Sequence, residues 1–356
     1  MSDGIQCSTR RGFVRGSIAL TAGVALAPGL ARAQGKPLVT GSFGPAITLY
    51  APFMVVEVEG LARAEGLDFK IVVTDGGART RQVIAAGQAS HAHGDASHPL
   101  QLTNRGKPTK ILMGTESRCP YANIVVRKDL YDQGITTPEK FGYWKRPDGS
   151  KPVIAATAIG SGTWMYGSYV LERYGVAEKV NWVAAGGAKT MLGGLSSKQL
   201  DAIVASPAIQ FDAEDRGWGR VIYDVRDQAA WDRAFGGPIP TTAVYALAST
   251  TQAPDVTQAF VNAVYRAMQW LKAHGVDEIY ARVGEKYMGD QSPQATKREI
   301  AYFKQLWKYD GMMSEADFRN GGKVWFREGT DIKPISFADA VDARFLVNAH
   351  RKYSSG

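Results

Sequence analysis

The run Lys151-Pro-Val-Ile-Ala-Ala-Thr-Ala-Ile-Gly-Ser-Gly-Thr-Trp164, followed as far as Pro207, decides the fold. Residues 151–156 have the composition of a strand, and Ile159-Gly160-Ser161-Gly162-Thr163 breaks it. Residues 164–174 then suit a helix that stops at Gly175, a residue free to take the left-handed turn that ends helices. A second strand over 180–183 breaks at Gly186-Gly187, a second helix runs from Ala188 to about Leu195, and a third strand over 201–205 ends at Ser206-Pro207. Strands alternating with helices across short glycine-rich joints predict an α/β fold with an open, mostly parallel sheet.

The same logic holds upstream without repeating the sequence. Residues 38–43 form a strand broken by Gly44-Pro45, and Phe53, Val56 and Leu61 are spaced for one helix over 52–64. Further strands fall at 67–73, closed by Asp75-Gly76-Gly77, and at 110–113, with a helix over 79–86 between them that stops at Gly87. Downstream, residues 241–248 form an apolar strand, and 255–273 an amphipathic helix with Phe260, Val264, Met268 and Leu271 on one face. Ser292-Pro293 opens a helix carrying Ile300, Phe303, Leu306 and Trp307; both late helices are expected to pack on the first lobe. Two α/β lobes result, with 34–122 opening lobe 1, 123–240 forming lobe 2, and 241–356 returning to lobe 1.

Residues 1–33 read as a leader. Arg10-Arg11-Gly-Phe-Val-Arg15 precedes an apolar run from Ser17 to Leu30, and Ala31-Arg-Ala33 offers small residues for cleavage after Ala33. The paired arginines resemble the twin-arginine (Tat) export motif, so the expected destination is the periplasm. The apolar run is shorter than the ~18 residues a membrane span needs, and Gly23, Pro28 and Gly29 interrupt it. No cysteine stands at the cleavage point, so no lipid anchor is expected. Losing four basic residues and one acid from a chain of net charge +8 leaves +5, with both signs interspersed. That pattern lacks the concentrated basic stripe of a nucleic-acid binder and permits anionic ligands. Cys119, the one cysteine left after Cys7 departs, cannot form an internal disulfide and is expected to be a buried thiol.

Two constellations could carry chemistry. At Gly160-Ser161-Gly162-Thr163 the free N–H groups and positive end of a helix meet two hydroxyls, which suits a carboxylate, sulfonate or nitrate. The same residues also read as a plain helix cap. Trp164 either walls the ligand or joins the core. His91, His93, Asp95 and His98 invite a zinc-dependent enzyme reading, or read as polar strand and loop residues, with Gly94 and Pro99 marking a turn. Thr115-Glu116-Ser117, Gly186-Gly187 and Ser206-Pro207 close strands, where ligands of open α/β sheets sit.

Together these stretches resemble the periplasmic substrate-binding proteins of nitrate/sulfonate/taurine ABC importers, the NMT1/THI5-like family. The resemblance runs from about Leu38 to Ala273. It is carried by Thr48-Leu-Tyr-Ala-Pro52 leading to Glu59-Gly60-Leu61, by Glu65-Gly-Leu-Asp68, by Gly76-Gly77 and Ala85-Ala-Gly87-Gln-Ala89, by Gly160 to Thr163, and by Gln199-Leu-Asp201-Ala-Ile-Val204 through Pro207. It implies a type II binding-protein fold, two hinged lobes closing on a solute, no catalysis and no cofactor. It implies a small organic anion as ligand and an ABC permease as partner. Carried over by position, it places Thr48, Gly94, Asp95, Thr115, Ser161, Gly162, Thr163, Gly187 and Ser206 around the cleft, with Trp164 or Tyr50 flanking. Ser90 stands where the family commonly has aspartate, and His91 and His93 follow it. A binder of the thiamine-pyrimidine precursor is the further alternative within the same fold.

Overall fold

The computed structural model describes residues 35–289 and 292–353, so the leader, its cleavage point and its export motif lie outside the described residues. Two five-stranded sheets organise the rest. The first has the order β2-β1-β3-β10-β4, built from β1 (Leu38–Phe43), β2 (Asp68–Val73), β3 (His91–Asp95), β4 (Thr109–Gly114) and β10 (Thr242–Leu247). The second has the order β7-β6-β8-β5-β9, built from β5 (Asn123–Arg127), β6 (Val153–Ala156), β7 (Asn181–Ala184), β8 (Ala202–Ala205) and β9 (Gly219–Tyr223). β10 runs antiparallel to β3 and β4, and β5 antiparallel to β8 and β9, so the other four strands of each sheet share one direction. β5 is the first strand after the chain has left sheet one, and β10 the first after it has returned. The two α/β lobes expected from the sequence are therefore present.

Helices close both sheet faces. On sheet one, the Ala51–Val58 and Pro254–Ala273 helices meet through Phe53 and Phe260, whose rings are 5.4 Å apart edge to face. The expected single helix over 52–64 is divided: Gly60, at φ 59°, takes the left-handed conformation and restarts the chain as Leu61–Ala64. The turn expected at Gly94 to Pro99 shrinks to Ala96, because β3 continues through Asp95 and a helix, Ser97–Asn104, accepts Pro99 in its first turn. Around sheet two, the Gly162–Arg173, Ala188–Ser196 and Pro207–Asp215 helices follow β6, β7 and β8 in turn.

The C-terminal part does not simply return to lobe 1. The Pro293–Phe303 helix ends before Leu306 and Trp307. It bonds Thr48 of lobe 1 through Glu299, while its Arg298 pairs with Glu214 and Asp215 of lobe 2. Beyond it, the Glu315–Trp325 helix packs on lobe 2, where Trp325 Nε1 donates to Tyr166 Oη at 2.9 Å. The chain then recrosses: Lys333 N donates to Asn104 Oδ1 at 2.8 Å, and Val341 bridges β4 at Ile111. Among the described residues no helix is long and apolar enough to cross a membrane.

Candidate functional site

Asp95, at the carboxyl end of β3, lies against Gly162 at the start of the helix that follows β6, and the sequence-predicted site residues divide between the two lobes. On lobe 2, Ser161 caps the Gly162–Arg173 helix, its Oγ accepting from Trp164 N at 3.4 Å. Thr157, one residue beyond β6, brings a third hydroxyl: Thr157, Ser161 and Thr163 oxygens stand 2.9 Å from one another in all three pairings. All three residues are half-buried, and this triangle, also bonded to the backbone of Thr157, Ala158 and Trp164, stands at the positive end of a twelve-residue helix. Thr157 was missed from sequence, although its place directly after a strand was the available signal. Trp164 is half-buried against the core and Gly329. Gly187 and Ser206 are the N-caps of the two neighbouring helices, Gly187 exposed and Ser206 half-buried, and neither supplies a side-chain cap.

On lobe 1 the expected residues are more deeply committed. Thr48 is fully buried and donates to Glu299 Oε2 at 2.7 Å. Thr115 is fully buried where the chain leaves sheet one, its Oγ1 2.6 Å from Glu116 Oε2 and 2.8 Å from both His93 Nε2 and Thr242 Oγ1. Gly94 leaves room for His98; a Cβ there would stand 2.9 Å from its ring. Asp95 alone reaches across. Its Oδ1 accepts from Ser97 N at 2.7 Å, its Oδ2 accepts from Tyr121 Oη, and it lies flush on Gly162, where a Cβ would stand 2.4 Å from Oδ2. Burial pushes the Asp95 carboxyl up from its ordinary pKa, against hydrogen bonds from Ser97 and Tyr121 that pull it down. Tyr121, which no sequence signal marked, is thus part of the seam between lobes.

The three histidines do not form a metal centre. His91 and His93 point to the helix-covered face that holds Phe260, Phe53 and Tyr50, whereas His98 lies on the opposite face beside Gly77 and Tyr245. Residues alternate across a strand, so His93 and Gly94 must face apart, and His98 packs on Gly94's side. Burial lowers His91 and His93 to about 3 and leaves both neutral. No group of three or more metal-capable side chains occurs among the described residues. The metal-enzyme alternative built on His91, His93, Asp95 and His98 is therefore corrected: these are core and seam residues.

A family model, described as the NMT1-like family, matches residues 36–283. The chain belongs to the NMT1-like family. Among solved structures, a protein of Bordetella bronchiseptica RB50 is similar at 27% identity, covering 90% of this chain and 99% of its own, with a TM-score of 0.75. The nitrate-binding protein NrtA of Synechocystis PCC 6803 matches at 14% identity over 90% of both chains, TM-score 0.70. The alkanesulfonate-binding protein SsuA of Xanthomonas axonopodis pv. citri, bound to MOPS, matches at 12% identity over 86% of this chain and 98% of its own, TM-score 0.64. The desulfurization enzyme DSZB shares the fold as well, at 17% identity, 89% of this chain and all of its own, TM-score 0.63. Comparison with curated proteins finds no match. The fold of this NMT1-like chain is that of the periplasmic binding proteins, built as two α/β lobes.

Proposed function

We propose that this chain is a periplasmic solute-binding protein of an ABC importer, which captures a small organic anion, a sulfonate or carboxylate, by lobe closure and delivers it to a membrane permease. The observation that carries this reading is the hydroxyl triangle of Thr157, Ser161 and Thr163 at the start of the Gly162 helix. Hydroxyls and free N–H groups there hold a negative group without a lysine or arginine. Gly187 and Ser206 add two more helix starts on the same lobe, while Thr48, Gly94 and Thr115 lie buried in the other. The rim favours an organic rather than a bare inorganic anion. Val73 at the end of β2 is 48% exposed and Ile159 beside the triangle 54%, one apolar side chain per lobe.

A receptor rather than an enzyme is favoured because the buried carboxyls are engaged within the fold, Asp95 with Ser97 and Tyr121 in the seam and Glu116 with Thr115, whose hydroxyl is itself fully buried. Export by the twin-arginine machinery without lipid attachment completes the reading. Replacing Arg10 and Arg11 by lysine and fractionating cells tests the export. Melting of the purified protein with ethanesulfonate, benzenesulfonate, benzoate and nitrate tests the ligand. A ligand at 100 times its Kd adds about 2.7 kcal/mol, enough to raise Tm by several degrees. Ser161→Ala and Thr163→Val are expected to weaken binding at least about tenfold, as loss of a hydrogen bond to a charged group does. No shift with any anion sinks the reading.

A further inference from the structure

Asp95 belongs to lobe 1 and Gly162 to lobe 2, yet they touch. We propose that Asp95 is a built-in competitor for the anion place at the start of the Gly162 helix, so that a ligand's anionic end enters only by displacing this carboxylate. The inference rests on the anion-receptor reading above and adds the residue that sets its affinity.

Three observations converge on it. The contact is close enough that only glycine fits at 162: a Cβ would stand 2.4 Å from Asp95 Oδ2 and 3.0 Å from Tyr121 Cε2. The carboxylate is held there by two bonds, from Ser97 N to Oδ1 at 2.7 Å and from Tyr121 Oη to Oδ2, and the Tyr121 hydroxyl also lies 3.3 Å from the Thr241 carbonyl. Tyr121 and Thr241 sit on the two segments that cross between the lobes, so the lobe seam itself aims Asp95 at the helix. Finally, the helix end attracts negative charge, and like charges at one site repel. Asp95 brings its negative charge to that end by its close approach to Gly162, without bonding the helix N–H groups. A sulfonate or carboxylate at the hydroxyl triangle would adjoin it in a buried place where charge is poorly screened, so the two cannot share the position.

The size of the effect follows from occupancy. If Asp95 holds the position nine times in ten, the apparent Kd is about tenfold weaker than the intrinsic one. Calorimetric titration of the whole chain with ethanesulfonate and with benzenesulfonate, on wild type, Asp95→Asn and Tyr121→Phe, tests this. Asparagine keeps the shape and the bond from Ser97 N but removes the charge. Asp95→Asn is expected to bind about tenfold tighter, and Tyr121→Phe, which frees one carboxylate oxygen, to fall between it and wild type. Wild type that binds while both variants bind equally or more weakly overturns the competitor and leaves the receptor reading standing. Failure of all three proteins to bind either sulfonate overturns both. Should Asp95→Asn not fold, Tyr121→Phe decides alone: tighter binding supports the competitor, unchanged binding ends it.

Discussion

At the scale of single residues, Gly162 is a position where one methyl group matters to both lobes at once. Gly162→Ala would press on Asp95 and Tyr121 and hold the lobes apart. Binding of a sulfonate is expected to fall at least about tenfold by titration while the melting temperature drops only modestly, since each lobe keeps its own core. Asp201 makes the contrasting case. It lies in the stretch that carried the family resemblance, but its work is structural: fully buried, it pairs with Arg127 at 3.0 Å and Arg146 at 2.6 Å and accepts from Val153 N. Removing one partner of a buried ion cluster strands the others, so Asp201→Ala is expected to lower unfolding stability by about 3–5 kcal/mol in a denaturant titration. These residues also mark how far the site was legible. Ser161, Gly162 and Thr163 could be read because helix starts need caps and close joints need glycine, both local rules. Tyr121 could not, because its partner Asp95 is 26 residues away and only the fold joins them. The histidines misled for the same reason: three imidazoles within eight residues look clustered, but His91 and His93 share one face of β3 while the helix after it carries His98 to the other.

At the scale of elements, the strands and helices between glycine joints were legible, and the boundaries missed by one to three residues. The C-terminal helices were expected, but beyond the one opened by Ser292-Pro293 they were given no bounds, although Glu315–Trp325 carried a signal: Ser314 and Asp317 cap its first turn reciprocally. What sequence could not supply was its partner, since either lobe offers an apolar face. It docks on the Gly162 helix, secured just beyond its end by Arg327, which donates to Glu172 Oε2 at 2.6 Å, to Ser168 Oγ at 2.6 Å and to the Met165 carbonyl at 3.1 Å. Arg327→Ala is expected to lower stability by about 1–3 kcal/mol, from the loss of these largely sheltered bonds, and to be seen as an earlier urea midpoint. The same change should loosen the Gly162 helix, so, on the proposed function, a parallel loss in sulfonate affinity is expected.

At the scale of the whole molecule, buried ionisable groups set a stability optimum. Burial raises Glu116 to about 8 and Glu299 to about 7, each opposed by its threonine hydrogen bonds, from an ordinary 4.5. The unfolded chain releases these protons from pH 4.5 upward while the fold still holds them, so stability falls as pH rises from 4.5 to about 8. His91 and His93 act oppositely: the unfolded chain takes up protons below pH 6.5, the fold not until about 3, so stability is lost as pH falls through that window. Between pH 4.5 and 6.5 the two carboxyls and the two imidazoles oppose each other, so denaturant midpoints measured against pH are expected to be highest there. Glu116→Gln is expected to flatten the alkaline limb and leave the limb below pH 4.5 unchanged.

The recrossing of the C-terminal part has a mechanical consequence. With Trp325 moored on one lobe and Lys333 on the other, the chain passes between the lobes four times, where the two crossings at 115–122 and 224–241 alone would already form a hinge. A hinge laced in this way has a short stroke and resists twisting. For the proposed receptor, ligand entry is then expected to need only a small gape along one axis, trading reach for a repeatable grip.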